Sequence, residues 1–170
     1  MHFATGQGDL LVTPLQLANA YATFANGGTL WTPHIAASVK DAKGKVVRSV
    51  APKARAHLAF DPLVHDRMLA GFQDVVQSRG GTAYSAFLGF PFESAPGGVA
   101  GKTGTAQVKD KAPTSVFAGF FPAANPQYVV LALIEEAGHG AEIAAPIARQ
   151  VIEAMLKLPL TEISTVAGHD

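Results

Sequence analysis

VAGKTGTAQV, residues 99–108, is the stretch that decides the fold, because it contains no proline and its glycines leave room for a peptide to lie alongside. Two short runs rich in β-branched and aromatic residues follow it, SVFAGFF at 115–121 and QYVVLALI at 127–134, with turn signals between them. Residues 99–108 and the two runs that follow predict the three strands of an antiparallel meander. The nearly continuous apolarity of residues 128–134 predicts that the last strand is covered on both faces.

Three segments carry the signals of helices. The first, over residues 13–26, opens with Thr13 as N-cap, Pro14 in the first turn and Gln16 closing a capping box. A second is predicted from Asp61 to the glycines at 80 and 81, and a third over residues 146–157. The helical spacing predicts that each of the last two buries one apolar stripe: Val64, Met68, Phe72 and Val75 in the second, and Ile147, Val151 and Met155 in the third.

These elements predict an α/β fold of the α+β kind, with an antiparallel sheet flanked by helices. Residues 35–40 and 45–50 flank the turn sequence DAKG and add a predicted hairpin. We expect one folded unit over residues 1–158 and a flexible tail over 159–170, where the sequence becomes small and polar.

The composition of the chain narrows its function classes. Thirteen basic and 13 acidic residues give a formal charge of zero, so we expect no nucleic-acid partner and no basic cluster. Cysteine is absent, which excludes disulfides and thiolate chemistry. Charged residues reach only 15% while hydrophobic ones reach 48%. That charge content is low for a small free-standing domain, and it predicts that a partner segment covers part of the surface.

Residues 101–106, GKTGTA, fit two unrelated architectures. A phosphate-binding loop needs G-x-x-x-x-G-K-[ST] followed by a helix, but Pro96 stands where its first glycine is required. The residues after Lys102 lack an apolar helical period, which disfavours that helix. In the other architecture, Lys-Thr-Gly lies on a strand beside the acyl-transfer site of penicillin-recognising serine enzymes. The strand interpretation is favoured, and nucleotide binding remains a remote alternative.

Further motifs stand in order along the chain. They are GQG at 6–8, TPLQLA at 13–18, ANGG at 25–28, GTA at 81–83, AGKTGTAQ at 100–107, FAGFFP at 117–122, GHG at 138–140 and APIA at 145–148. With them the chain resembles the C-terminal part of the transpeptidase domain of class B penicillin-binding proteins, the monofunctional peptidoglycan D,D-transpeptidases related to penicillin-binding protein 2. The resemblance covers residues from about 5 to 155 and predicts the penicillin-binding protein and serine β-lactamase fold.

The resemblance assigns roles to four residues. Lys102 supplies positive charge and hydrogen bonds in the catalytic cluster, and the hydroxyls of Thr103 and Thr105 bind the terminal carboxylate of a D-Ala-D-Ala stem peptide or of a β-lactam. The backbone N–H of Thr105 serves as one of two oxyanion-hole donors, a task suited to an amide held on a strand edge. Gly104 lets the acyl group lie close to the strand. No metal or organic cofactor is implied.

The same family requires a nucleophilic serine in Ser-x-x-Lys and a Ser-x-Asn element, and neither motif occurs in this chain. In the family both precede the GQG stretch. We therefore expect an upstream segment of the same protein to supply them, and the 170-residue chain alone to be inactive. The resemblance also implies an N-terminal membrane anchor, an extracytoplasmic location and a glycosyltransferase partner of the elongation or division machinery.

Several alternatives stay open at this point. A non-catalytic β-lactam-sensing or assembly module of the same fold would share the strand and need no turnover. Transpeptidase and carboxypeptidase differ only in the acceptor that resolves the acyl-enzyme, and elongation and division roles are not separated. A metal site is not expected, because the six histidines lack H-x-x-x-H or carboxylate pairing at ligand spacing.

Overall fold

The computed structural model describes residues 10–163, within which three α-helices and seven strands alternate. The helices are α1 (Pro14–Ala25), α2 (Pro62–Gln77) and α3 (Ala144–Met155). The strands are β1 (Thr29–Trp31), β2 (Ser38–Lys40), β3 (Val46–Ser49), β4 (Ala54–His57), β5 (Ala100–Ala106), β6 (Thr114–Phe121) and β7 (Tyr128–Ile134). Short 3-10 turns at Ser85–Phe87 and Phe92–Ser94 connect α2 to β5. The predicted α/β fold is confirmed.

The helix starts agree with the capping signals in the sequence. Thr13 caps α1 through a reciprocal pair of hydrogen bonds: its hydroxyl accepts from the Gln16 N–H at 3.2 Å, and its own N–H donates to the Gln16 side chain at 2.8 Å. Asp61 caps α2 by accepting from the Val64 N–H at 3.1 Å. The third helix begins two residues earlier than predicted, because its first amide finds a partner on β6 rather than in its own sequence.

The predicted meander is the central sheet, in the order β5-β6-β7 and antiparallel throughout. Strand β6 lies in the middle and is buried on both faces. Phe117 and Phe121 belong to a core cluster with α3, whereas Phe120 packs with Phe24 of α1 and Phe72 of α2 on the other side. Alternation along one strand therefore holds helices on both faces of the sheet.

The apolar stripes predicted for two helices are wrong in part. In α2, Val64 and Met68 are 53% and 45% exposed, whereas Val76 is buried. In α3, Val151 and Met155 are 42% and 43% exposed. The buried face of α3 is shifted by about one position from the predicted stripe, to Ala148 and Ile152, with the charged pair Arg149 and Glu153 beside them.

Strand β7 has α1 on one face and α3 on the other, so the predicted covering of both faces is confirmed in part, although the cover is incomplete. Within the described residues β7 pairs only with β6, so its other edge is free. Tyr128 and Leu133 are 49% and 40% exposed. One side of β7, together with Ile147, Val151 and Met155 of α3, lines an open apolar groove. We call this surface the β7 groove.

Two smaller antiparallel pairs lie outside the central sheet. Strand β1 pairs with β4, and β2 pairs with β3 as the predicted hairpin. At the other end of the chain, Thr161 bonds to the side chains of Gln150 and Glu153 on α3, so this part of the predicted tail lies against the helix. None of the helices described here has the length and apolarity needed to cross a membrane.

Candidate active site on strand β5

The GKTGTA sequence lies on an outer strand of the central sheet. Residues 100–106 form β5, which among residues 10–163 pairs only with β6, in a register that places Lys102 opposite Ala118 and Thr105 opposite Ser115. No helix follows the lysine, and the chain instead turns into β6. The phosphate-loop alternative is therefore wrong, because it needs the amides and dipole of a helix N-terminus at this point.

Lys102 is exposed on this strand, and its ammonium group lies close to the backbone. The Nζ atom donates a hydrogen bond of 2.6 Å to the carbonyl oxygen of Thr103. Within residues 10–163 no carboxylate pairs with it. The strand edge therefore presents a positive charge that is free to act on a ligand anion.

Thr103 is nearly buried, at 9% exposure, and its hydroxyl has a partner outside the strand. The Oγ1 atoms of Thr103 and Thr82 lie 2.6 Å apart. Thr82 follows α2, where the Ala83 N–H donates to the Val75 carbonyl at 2.9 Å and fixes the turn. One hydroxyl of the pair donates to the other, so Thr82 holds the Thr103 side chain in place.

Thr105 is bordered by the loop between β7 and α3. The Gly140 N–H lies 3.4 Å from the Thr105 hydroxyl oxygen, which accepts from it. A Cβ atom at Gly140 would lie 2.4 Å from the carbonyl oxygens of both Gly104 and Val116. Only glycine lets the loop backbone rest directly on β5 and β6 there. The contact leaves the proton of the Thr105 hydroxyl available to a ligand.

A fully buried serine holds the same loop at both ends. The Ser115 hydroxyl donates to the His139 carbonyl and accepts from the Ala144 N–H, each at 3.0 Å. Ala144 is the first residue of α3, and the residue before it gives no side-chain cap. Ser115 therefore caps α3 from a neighbouring strand and satisfies an otherwise unpaired helix amide.

The two glycines of β5 have different neighbours. A Cβ at Gly101 would lie 2.6 Å from the ring of Phe117, so this glycine is required by packing within the chain. A Cβ at Gly104 would meet only the Val116 Cβ, at 3.4 Å. Packing within the described residues therefore leaves room for a small side chain at 104, in contrast to 101.

The structure brings all four predicted site residues onto one strand and adds three that the sequence analysis did not assign: Thr82, Ser115 and Gly140. Two of these lie in the motifs GTA at 81–83 and GHG at 138–140. Their contacts join residues far apart in the sequence, so no spacing along the chain predicts them. The GQG motif at 6–8 lies outside the described residues. Among residues 10–163, no group of three or more histidine, aspartate or glutamate side chains is placed to hold a metal ion.

A lysine-threonine-glycine-threonine strand at the edge of an antiparallel sheet packed between helices is the arrangement of penicillin-recognising serine acyl-transfer enzymes. The family model described as the penicillin binding protein transpeptidase domain matches residues 2–153. The chain belongs to this family, which confirms the resemblance.

Three relatives show the extent of the similarity. The peptidoglycan D,D-transpeptidase MrdA of Haemophilus influenzae is 30% identical over 93% of this chain and 26% of its own length. The crystal structure of Pseudomonas aeruginosa PBP2 in complex with WCK 5153 matches 94% of this chain with a TM-score of 0.75 and 34% identity, over 34% of its chain. The imipenem acyl-enzyme complex of penicillin-binding protein A from M. tuberculosis matches 91% with a TM-score of 0.71 and 30% identity, over 33% of its chain. The present chain thus spans between about a quarter and a third of these relatives.

Proposed function

We propose that this chain is the substrate-binding part of a peptidoglycan D,D-transpeptidase. The intact protein binds penicillin and cross-links stem peptides through an acyl-serine intermediate. The observation that carries the proposal is the extended strand β5, which presents Lys102 and Thr105 on a free sheet edge in a member of the transpeptidase family. The acyl-enzyme described for the M. tuberculosis relative supports the same chemistry.

In this proposal each residue of the strand has one task. Lys102 provides positive charge beside the nucleophile, and the hydroxyls of Thr103 and Thr105 bind the carboxylate of the D-Ala-D-Ala terminus or of a β-lactam. The Thr105 N–H is an oxyanion-hole donor, which acts where negative charge develops in the tetrahedral intermediate. Gly104 admits the acyl group, and the lack of a packing requirement at its Cβ position supports a role toward a ligand.

The nucleophile is assigned to an upstream segment of the parent protein that carries Ser-x-x-Lys and Ser-x-Asn. Two surfaces support such a segment: the free edge of β7 and the adjoining β7 groove. A long apolar edge strand left open is a site for pairing with another strand. Because the isolated 170-residue chain lacks these motifs, it is inactive. A strand of the upstream segment that covers the β7 edge completes the sheet.

The parent protein is placed at the extracytoplasmic face of the bacterial cell membrane, through an N-terminal anchor outside this chain. Its partners are peptidoglycan stem peptides and a glycosyltransferase of the elongation or division machinery, with no nucleic acid. The family membership supports this placement, and the choice between elongation and division follows the identity of the glycosyltransferase. A non-catalytic β-lactam sensor would be acylated without cross-linking.

A fluorescent penicillin tests the proposal in two arms. The isolated chain is expected to give no covalent band on a denaturing gel. A chimera joins this chain to the upstream part of the Pseudomonas aeruginosa PBP2 transpeptidase domain, which supplies the serine motifs, and is expected to be labelled. Lys102→Ala in the chimera should lower the labelling rate by about a hundredfold, in the range of losing one preorganised catalytic group.

Lys109→Ala is the matched control, because Lys109 is exposed, lies three residues beyond β5 and is not assigned to the site. Labelling of the isolated chain would contradict the missing-nucleophile assignment. Equal labelling of the chimera and its Lys102→Ala variant would contradict the role of β5. Cross-linking of stem peptides by the chimera in the absence of penicillin separates a transpeptidase from a sensor.

A further inference from the structure

The segment between α1 and α2 holds a concentration of positive charge that the net charge of zero conceals. Residues 40–55 contain six of the chain's 13 basic residues and one of its 13 acidic residues. The basic residues are Lys40, Lys43, Lys45, Arg48, Lys53 and Arg55. The expectation of no basic cluster is therefore wrong. We call residues 35–57, which contain β2, β3 and β4, the basic arm.

The charge of the basic arm is not neutralised by the rest of the described chain. Its only carboxylate, Asp41, is used within the turn, where Oδ1 accepts from the N–H groups of Lys43 and Lys45 at 2.9 and 3.0 Å. The ion pairs described for residues 10–163 involve His65, Lys111 and Arg149, none of which lies in the arm. Six exposed cations therefore lie on one segment of the chain.

Exposed apolar side chains lie among these cations. Ile35 is fully exposed, Val39 and Val46 are 47% and 46% exposed, and Val47 is 60% exposed. No residue of the arm belongs to either core cluster. A two-stranded hairpin without a packed face is marginally stable in water, so the arm gains stability from a surface that receives both its charge and its valines.

We propose that the basic arm is a peripheral docking surface for anionic phospholipid. Cations interleaved with exposed aliphatic side chains match the interface of a membrane, where headgroups take the charge and the acyl boundary takes the apolar groups. A nucleic acid is a poorer match, because the arm contains no Phe, Tyr or Trp on which bases could stack. Protection of a strand edge from pairing is also a poorer explanation of these lysines, because that role does not require the segment to be nearly free of carboxylates.

The inference stands apart from the transpeptidase proposal, since it uses no residue of β5. It assigns to this chain a direct contact with a lipid surface. Such a contact would limit how the domain is oriented relative to the lipid surface.

Vesicle flotation of the 170-residue chain tests the inference. Vesicles of equimolar phosphatidylglycerol and phosphatidylcholine are compared with vesicles of phosphatidylcholine alone. Each cation near an anionic surface contributes roughly a fivefold factor in partitioning. The fourfold variant Lys40→Gln, Lys43→Gln, Lys45→Gln and Arg48→Gln is therefore expected to lose on the order of a hundredfold or more on the anionic vesicles. Added salt should weaken the binding of the unmodified chain.

A control variant has the same net charge but changes cations outside the arm: Arg67→Gln, Arg79→Gln, Lys109→Gln and Lys157→Gln, all at exposed positions. It should keep most of the binding. Val39→Ser with Val47→Ser should reduce vesicle binding roughly tenfold, as removal of about one buried aliphatic group does, and leave binding to soluble polyphosphate unchanged. Thermal unfolding of each variant checks that the body of the domain is folded.

Three outcomes would overturn the inference. They are equal binding to neutral and anionic vesicles, equal losses in the arm and control variants, and binding to polyphosphate with none to anionic vesicles. The first outcome would assign vesicle binding to the uncharged β7 groove instead. Because penicillin labelling of the chimera is measured without vesicles, a failure here leaves the transpeptidase proposal standing, and the reverse also holds.

Discussion

Replacing Glu153 by alanine is expected to remove a large part of the stability of this domain. Glu153 is 2% exposed and accepts three hydrogen bonds of 2.7 Å, from the Arg149 Nε and from the N–H and hydroxyl of Thr161. Arg149 is 6% exposed and also donates to the carbonyls of Ala86 and Leu88. The pair therefore joins α3 to the turn before β5 and to the segment after α3.

The expected loss follows from the charge that the substitution leaves behind. Removing one partner of a buried ion pair costs about 3–5 kcal/mol, because the other charge remains desolvated. The free energy of unfolding of a whole domain is only about 5–15 kcal/mol. Replacing both members, as Arg149→Met with Glu153→Leu, avoids the unpaired charge. The carbonyls of Ala86 and Leu88 still lose their donor, so we expect the double variant to lose only about 1–2 kcal/mol.

Urea denaturation followed by circular dichroism measures both changes, with the slope m reporting whether the folded states are comparable. Glu142→Gln is the control, because Glu142 is an exposed glutamate just before α3, and it should change stability by less than about 0.5 kcal/mol. A single variant that loses less than about 1 kcal/mol, or as little as the double variant, would refute the argument from unpaired charge.

Acid is expected to weaken the stabilising effect of Glu153. Burial acts to raise the pKa of Glu153, but hydrogen bonds from Thr161 and Arg149 and the charge of Arg149 hold the pKa below its ordinary value. The ionised form is thus favoured in the folded state. The stabilisation of the folded state by ionised Glu153 is complete above the pKa that Glu153 has in the unfolded chain, and it is lost as pH falls through the pKa that Glu153 has in the folded state. The stability difference between the unmodified chain and Glu153→Gln should therefore shrink on acidification.

Three further changes test the site and the open surface. Gly140→Ala places a Cβ 2.4 Å from two backbone oxygens, so it should cost at least about 2 kcal/mol in urea denaturation, whereas Gly80→Ala, with open space around it, should not. Thr82→Val removes the partner of the Thr103 hydroxyl and should cost about 1–2 kcal/mol, while Thr82→Ser should retain stability. The free edge of β7 predicts that the isolated chain self-associates, and Leu133→Lys at the β7 groove should reduce that association in sedimentation velocity; unchanged association would show that another surface is responsible.

The fold was predictable where its signals are local. The capping box at Thr13 and Gln16 and the three apolar runs after position 99 specify helix and strand by short-range chemistry, and the structure confirms them. The buried faces of α2 and α3 were not predictable in the same way. Periodicity assigns hydrophobic residues to the core, but the buried pair of Arg149 and Glu153 is stabilised by partners distant in sequence.

The residues of the candidate site were likewise predictable only where their signals are local in the sequence. Lys102 to Thr105 are contiguous, so one motif identifies them, and strand geometry then places them on one edge. Thr82, Ser115 and Gly140 reach the strand from separate elements, and only the folded chain shows those contacts. The basic arm was hidden for another reason, since a net charge averages over the whole chain while recognition depends on where the charges lie.

The hydroxyl of Ser115 has a consequence for motion near the site. One oxygen atom holds both the carbonyl that begins the loop approach to β5 and the first amide of α3. First-turn helix amides usually exchange rapidly with solvent, but this one is tied to the middle of a sheet. A displacement of α3 is therefore transmitted to the loop beside Thr105 through the Ser115 side chain alone. A movement of α3 therefore reaches β5, the strand that carries Lys102, through two hydrogen bonds of Ser115.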